Sequence, residues 1–377
     1  MSEPAAFPAS EFERRVRDIQ KVMAQRDLDA LVLTRAENIF YTSGFKASHF
    51  ASWLSELHAV VVPRQGIPSL LTRALERETT TVQWTPDPRT HMDHEDPYPI
   101  LADMLARAGR RSGVVGIENR FLRLSQFEKL RHHLPQARFV DASGLVEGVA
   151  ASPSPLESAC IREAARITNV GFLAGLAEIA EGVYPYEIIG KIHAAMYAAG
   201  QRDFDMSLVC VWSGPKGGRM HDTSTTERIL RGDMVTVEVW GVDNHYKAGA
   251  QASIHVGGEP PAAVVAAHNL VVRMHDAAQQ AVRPGATAGA VFDAASAVYR
   301  GATGRDYYRR CGGSMGLTVF TTDLVKGRVE VLTPGVALLV QTLVDDPVLL
   351  TCASTVMVTG EGCETLTSPS RSLSFAS

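Results

Sequence analysis

The second half of the chain contains the same order of segments twice. Two long amphipathic helices are followed by a group of strands, and this order then recurs. The predicted helices span 156–181, 185–199, 261–282 and 287–301. The predicted strands span 207–213, 233–240, 248–256, 317–320, 336–343 and 352–359. This order indicates a duplicated helix-plus-sheet unit.

The first half has a different pattern, in which short apolar strands alternate with helices. The segments "DALVLT", "HAVVVP", "IPSLLT", "GVVGIE" and "ARFVDA" are typical of buried strands. Apolar residues at helical spacing between residues 12 and 23 predict a first helix, with Ser10 as its cap. We therefore expect an α/β domain over residues 1–150, the linker "ASPSPLE", and an α+β domain over 156–377, with Pro155 suited to the start of its first helix.

Composition narrows the class of protein. The 377 residues are 45% hydrophobic and 21% charged, and the net charge of −4 gives no reason to expect nucleic acid or an acidic membrane as a partner. The five cysteines are scattered and form no Cys-x-x-Cys pair, which argues against a disulfide scaffold and a structural zinc site. The N-terminus has no signal-peptide pattern and no apolar run approaches a membrane span, so a cytoplasmic protein is expected.

An ordered set of segments resembles the creatinase/prolidase/aminopeptidase P superfamily (M24). The set comprises "FERRVRDIQKVMAQRDLDALVLTRAENIFYTSGF", "PLESACIREAARITNVG", "HDTSTTERILRGDMVTVEVWGVDNHYKAGAQASIHVGG", "VRPGATAGAVFD", "GGSMGL" and "LTPGVALLVQTLV". The resemblance implies a creatinase-type N-terminal domain followed by a pita-bread catalytic domain. It also implies a homodimer, in which the N-terminal domain of one subunit completes the site of the other.

The metal ligands that the resemblance implies are replaced in this chain. Metal-dependent members of the family bind two divalent cations through two aspartates, one histidine and two glutamates. The matching positions here are Glu238, Gly249, Gly313, Gln341 and Ala353. Hard cations need several anionic or imidazole ligands to replace their water. We therefore expect no metal and no other cofactor.

A histidine remains as a candidate for proton transfer. His221, in "MHDTST", matches the histidine of creatinase, the family member that works without metal. Its ordinary pKa lies near physiological pH, so it can act as general base and acid; the alternative is a surface histidine in a polar turn. Glu238, in "VTVEVW", is expected to carry a proton or bind a cation, because burial raises a carboxyl pKa unless the group is paired. The alternative is a salt-bridged structural residue.

Further residues are candidates for substrate binding. Gln251 and Gln341 can orient a polar substrate, or can simply be satisfied polar groups that replaced lost ligands. Glu56 matches an arginine with which creatinase binds its substrate's carboxylate, and this charge reversal favours an amine or amidine. Trp212 and Tyr246 complete the set.

These observations predict a metal-independent, creatinase-like enzyme that hydrolyses a carbon–nitrogen bond in a small nitrogenous metabolite, with His221 as base and acid. A lyase or cyclase that uses the same histidine is the first alternative, because a lone base in a dry pocket also suits proton abstraction. A catalytically inactive, peptidase-like binding module is the second.

Overall fold

The chain forms two compact units, Met1–Ala151 and Ser152–Ser377, in a computed structural model. The structure describes residues 7–46, 57–76, 84–85, 88–109, 112–202, 207–215, 217–218, 220–221 and 226–373. None of the helices in this part of the chain combines the length and the apolar character needed to span a bilayer.

The first unit is a mixed sheet covered by helices. Its described helices are α1 (Ala9–Gln25), α2 (Ala36–Ser43), α3 (Tyr98–Gly109), α4 (Leu124–His133) and α5 (Leu145–Ala150). Its strands are β1 (Ala30–Leu33), β2 (Ala59–Pro63), β3 (Ser69–Arg73), β4 (Arg89–His91), β5 (Val114–Ile117) and β6 (Arg138–Asp141). They lie in the order β4-β3-β2-β1-β5-β6, with β1 antiparallel to β2 and parallel to β5. The predicted α/β class is therefore confirmed.

The start of α1 differs from the prediction. Its apolar stripe, which includes Phe12, Ile19 and Met23, is buried as the helical spacing predicts. Ser10 lies inside the helix and does not cap it, because extended backbone ends at Pro8, two residues earlier. Helix starts are poorly specified where several residues can precede the apolar stripe.

The second unit is an antiparallel sheet with two pairs of helices. The helices are α6 (Pro155–Ala177), α7 (Pro185–Ala198), α8 (Ala262–Ala281) and α9 (Ala288–Thr303). The strands are β7 (Leu208–Gly214), β8 (Met234–Asp243), β9 (Tyr246–His255), β10 (Gly312–Met315), β11 (Ala337–Val344), β12 (Leu350–Val358) and β13 (Cys363–Thr365). The sheet order is β10-β11-β12-β9-β8-β7, with β13 paired to β12. The predicted α+β class is confirmed, but the strand expected at 317–320 lies instead at β10.

Local signals explain where the second unit begins. Ser154 accepts a hydrogen bond from the backbone N–H of Glu157, and the Glu157 side chain accepts one from the backbone N–H of Ser154. Pro155 occupies the first turn of α6, where its missing N–H costs nothing. This reciprocal cap fixes the start of the helix that packs along β8 and β9.

The two faces of the second sheet have different characters because side chains alternate along a strand. One face, which includes Val211, Val237 and Ala250, packs with residues of α6 and α7 into an apolar core. On the other face Glu238 is paired with Gln251, Gln251 with Ala353, and Ala353 with Gln341. Residues paired in this way point to the same side of a sheet. The strand register therefore aligns the candidate polar residues in one row.

Candidate active site

A tight turn after β7 places His221 beside the polar row. Gly217 and Gly218 have φ values of 84° and 67°, and a Cβ atom on either would lie 2.6 Å from a carbonyl oxygen, of Leu349 and Ser213 respectively. Residues other than glycine are therefore excluded from these two positions. His221 itself has a φ of 62°, a left-handed conformation that is uncommon for a non-glycine residue and often marks a functional position.

His221 and Glu238 form a pair with unequal exposure. His221 Nε2 lies 3.5 Å from Glu238 Oε2, and the imidazole side chain is 61% exposed while the carboxylate is buried. The Glu238 carboxylate raises the pKa of His221, whereas partial burial and the positive charge of Arg310 act in the opposite direction. The Trp212 ring meets the imidazole edge-on, with 5.9 Å between ring centroids. An accessible proton carrier is thus held against a buried anion.

A chain of hydrogen bonds fixes Glu238. Trp240 Nε1 donates to Oε1 at 3.1 Å, and Gln251 Nε2 donates to Oε2 at 3.3 Å. Gln251 Oε1 in turn accepts from Gln341 Nε2 at 2.5 Å and from the Thr351 hydroxyl at 2.8 Å. These donors satisfy the buried carboxylate of Glu238 and the buried amide of Gln251. The hydrogen bonds therefore hold the side chains of Glu238, Gln251 and Gln341 in a single arrangement.

A cavity of about 290 Å³ opens over this row. Its lining combines one imidazole, one carboxylate, two guanidinium groups, one amide and several apolar side chains. The lining residues are Leu208, Met220, His221, Glu238, Trp240, Arg309, Arg310, Phe320, Gln341 and Leu343.

The sequence reasoning missed seven of these ten lining residues, among them Trp240, Phe320, Arg309 and Arg310. Strand alternation could have found Trp240, since it stands two positions after Glu238. The two arginines precede "CGGSMGL" directly in sequence, but nothing in a single sequence shows that they face the row.

The other candidate residues are placed differently. Gln251 is buried beneath the cavity and is absent from its lining, so its role is to hold Glu238 and Gln341. Trp212 is buried and contacts His221.

The Tyr246 hydroxyl donates to Glu157 of α6 at 2.6 Å on the helix-covered face of the sheet. This places Tyr246 away from the cavity, where it was expected to bind substrate. Glu56 lies outside the described residues.

Comparison with known families decides the classification. The model of metallopeptidase family M24 matches residues 159–355, and that of the creatinase/prolidase N-terminal domain matches residues 15–149. The chain belongs to metallopeptidase family M24.

Similar proteins share this M24 organisation over nearly their whole length. An uncharacterised hydrolase/peptidase, y4tL of Sinorhizobium fredii, is 26% identical over 98% of both chains. The probable dipeptidase PepE of Mycobacterium tuberculosis is 26% identical over 88% of this chain and 87% of its own. The crystal structure of dipeptidase PepE from Mycobacterium ulcerans superposes with a TM-score of 0.83 at 23% identity, covering 98% of each chain.

The comparisons correct the function expected from the sequence. The relatives described above include proteins named as dipeptidases, and the matching family model is one of metallopeptidases. The expected creatinase-like reaction on a non-peptide metabolite is therefore wrong, because these relatives point to peptide hydrolysis. They do not support its lyase and binding-module alternatives, and they do not confirm that the reaction works without metal. The resemblance to the superfamily is confirmed, but the creatinase-like subtype is not supported.

The M24 family name implies a metal, and the residues present here do not fit one. A Cβ atom on Gly249 would lie 2.7 Å from Trp240 Cδ1, and one on Gly313 would lie 2.4 Å from Phe320 Cδ1. These are two of the positions where the family resemblance places ligands, and aromatic rings fill the space that ligand side chains would need. Within the described ranges, no three His, Cys, Asp or Glu side chains come together in a group able to hold a metal ion.

Proposed function

We propose that this M24 chain hydrolyses short peptides, that His221 carries the proton of the reaction, and that Glu238 stabilises the charged form of His221. The observation that supports this most directly is the pairing of an exposed imidazole with a buried carboxylate at the floor of a small cavity. Peptide hydrolysis needs a group that takes a proton from water and then gives it to the leaving amine. The named dipeptidases among the relatives support a peptide as the substrate.

The proposed reaction uses neutral His221 as its base. Because Nε2 is the nitrogen that faces Glu238, it carries the proton of the neutral imidazole and Nδ1 is the base. Nδ1 removes a proton from water while the water oxygen forms a bond to the peptide carbonyl carbon. The resulting imidazolium lies 3.5 Å from the Glu238 carboxylate, which stabilises its charge. As the carbon–nitrogen bond breaks, the imidazolium returns the proton to the nitrogen, which leaves as a free amine.

In this proposal, Gln341 stabilises the negative charge that develops on the carbonyl oxygen. Its side chain lines the cavity, and one N–H is donated to Gln251. A glutamine amide carries two N–H donors, so the second can reach a substrate oxygen. Because the metal positions are filled, the proton transfer is assigned entirely to residues of this chain.

The experiment is a hydrolysis assay on a panel of free dipeptides, with amino-acid release followed by mass spectrometry. We expect turnover by the wild type and a loss of roughly 100- to 10,000-fold in kcat for His221→Ala, the range typical of a lost general base. His193→Ala is the matched control, because His193 lies on α7, which packs on the opposite face of the sheet. Absence of turnover by the wild type, or equal rates for the His221 and His193 variants, would overturn the proposal.

A further inference from the structure

Two arginines contribute to the lining of the cavity. Arg309 and Arg310, directly before β10, both line it, and the carboxylate in the same lining is that of Glu238. Glu238 is already engaged by Trp240, Gln251 and His221. Each arginine also has an aspartate partner outside this lining, Asp345 for Arg309 and Asp323 for Arg310. What an anionic group of a ligand meets therefore depends on the N–H donors that these contacts leave unused.

Among the described residues, the contacts of Arg310 leave the Nε and Nη2 donors of its guanidinium unused, and the residue lines the cavity. Nη1 donates to Asp323 Oδ1 at 3.3 Å, and the carbon atom of the guanidinium lies 4.1 Å from the centre of the Phe320 ring. A guanidinium has five N–H donors, and the edge formed by Nε and Nη2 matches the two oxygens of a carboxylate. Stacking on Phe320 fixes the plane of this edge.

Arg309 is committed differently, although it is the neighbouring residue with the same charge. Its Nε donates to the Tyr308 hydroxyl at 3.4 Å and its Nη2 donates to Asp345 Oδ2 at 3.1 Å. The edge whose donors are unused in Arg310 is therefore occupied in Arg309. The two arginines are a matched pair in which one is suited to bind a carboxylate in bidentate fashion.

We propose that Arg310 binds the free carboxylate of the substrate and thereby selects short peptides whose C-terminus lies next to the scissile bond. This inference rests on the proposed function. It reverses the expectation of a cationic substrate, which rested on Glu56. It also gives Phe320 a role, since the ring that fills the space above Gly313 also supports the arginine.

The experiment measures binding separately from catalysis. The dipeptide Ala-Leu and its C-terminal amide are titrated by calorimetry into protein carrying His221→Ala, so that neither is consumed. We expect the acid to bind about 10- to 100-fold more tightly than the amide, the range expected for a charge-assisted hydrogen-bonded pair.

Arg310→Ala, added to the same protein, should abolish this preference. Arg310→Lys should retain only part of it, because lysine keeps the charge but lacks the two parallel N–H donors of the guanidinium edge. Adding Arg309→Ala should reduce the preference by less than about threefold, since its edge is already occupied.

Either of two results would overturn the inference. The first is that the acid binds no more tightly than the amide, or that neither binds. The second is that the Arg309 and Arg310 variants lose the preference equally. The assay of wild-type protein distinguishes this failure from failure of the proposed function. Equal cleavage of acid and amide would remove the role of Arg310 and leave the hydrolase standing. Selective binding of the acid without cleavage of any dipeptide would leave the carboxylate site standing and remove the hydrolase.

Discussion

The indole N–H of Trp240 donates to Glu238 at 3.1 Å, and the same ring fills the space beside Gly249 that a side chain there would need. One residue thus satisfies a buried carboxylate and closes a position where the M24 resemblance places a metal ligand. The Phe320 ring likewise fills the space beside Gly313, and its centroid lies 5.9 Å from that of the Trp240 ring. Aromatic rings that line the cavity therefore close two of the positions where the family resemblance places metal ligands.

The contact between Trp240 and residue 249 predicts a cost for any added side chain. Gly249→Ala should lower the free energy of unfolding by about 1–3 kcal/mol, because a Cβ atom at 2.7 Å from the indole forces the ring or the strand to move. Urea denaturation measures the change. Gly301→Ala is the control: it lies in α9 with no atom within 4 Å of the added carbon, and should be neutral or slightly stabilising. A Gly249 variant as stable as wild type would contradict the prediction. In a Trp240→Ala background the cost should shrink.

The pH dependence of activity follows from the neighbours of His221. Glu238 raises the pKa of the imidazole and Arg310 lowers it. The base is active when neutral, so kcat/KM should rise with pH through the His221 pKa. Glu238→Gln should move this rise to lower pH, and Arg310→Ala should move it to higher pH. Proton NMR titration of the free protein checks both shifts directly, with the His221 resonance identified by its absence in His221→Ala. Shifts of the same sign in the two variants would show that other groups control the histidine.

The family resemblance made part of this site predictable from the sequence. Glu238, Gln251 and Gln341 were expected to lie together, and the register of β8, β9, β12 and β11 places them in one row. Their hydrogen bonds to one another, which bury Gln251, depend on rotamers that a linear pattern does not specify. Arg310 escaped prediction for a related reason: its place at the cavity depends on the loop before β10, and loops are weakly constrained by hydrophobic periodicity. The homodimer inferred from the family resemblance stays a prediction.

Thiol chemistry is expected to be absent from the cavity. Burial raises the pKa of Cys311 and of Cys352 to about 12 and, with the Glu238 charge, that of Cys210 to about 11. Since the thiolate is the reactive form, iodoacetamide at about pH 8 should leave these three cysteines unmodified in the native protein. Mass spectrometry after labelling checks this, and protein unfolded in urea is the control in which all three should react. Modification of native Cys311 with parallel loss of activity would instead point to a reactive thiol near the cavity.

The Tyr246–Glu157 hydrogen bond predicts a structural role for a residue first expected to bind substrate. Both partners are buried and their oxygens lie 2.6 Å apart, so Tyr246→Phe leaves a buried carboxylate short of a donor. We expect a loss of about 1–3 kcal/mol in the free energy of unfolding, measured by urea denaturation. Tyr308→Phe is the matched control, because its hydroxyl also donates to a carboxylate at 2.6 Å but is exposed, and its removal should cost less than about 0.5 kcal/mol. The preference for the free acid over the amide should be unchanged by Tyr246→Phe; a loss of that preference at unchanged stability would return Tyr246 to the substrate site.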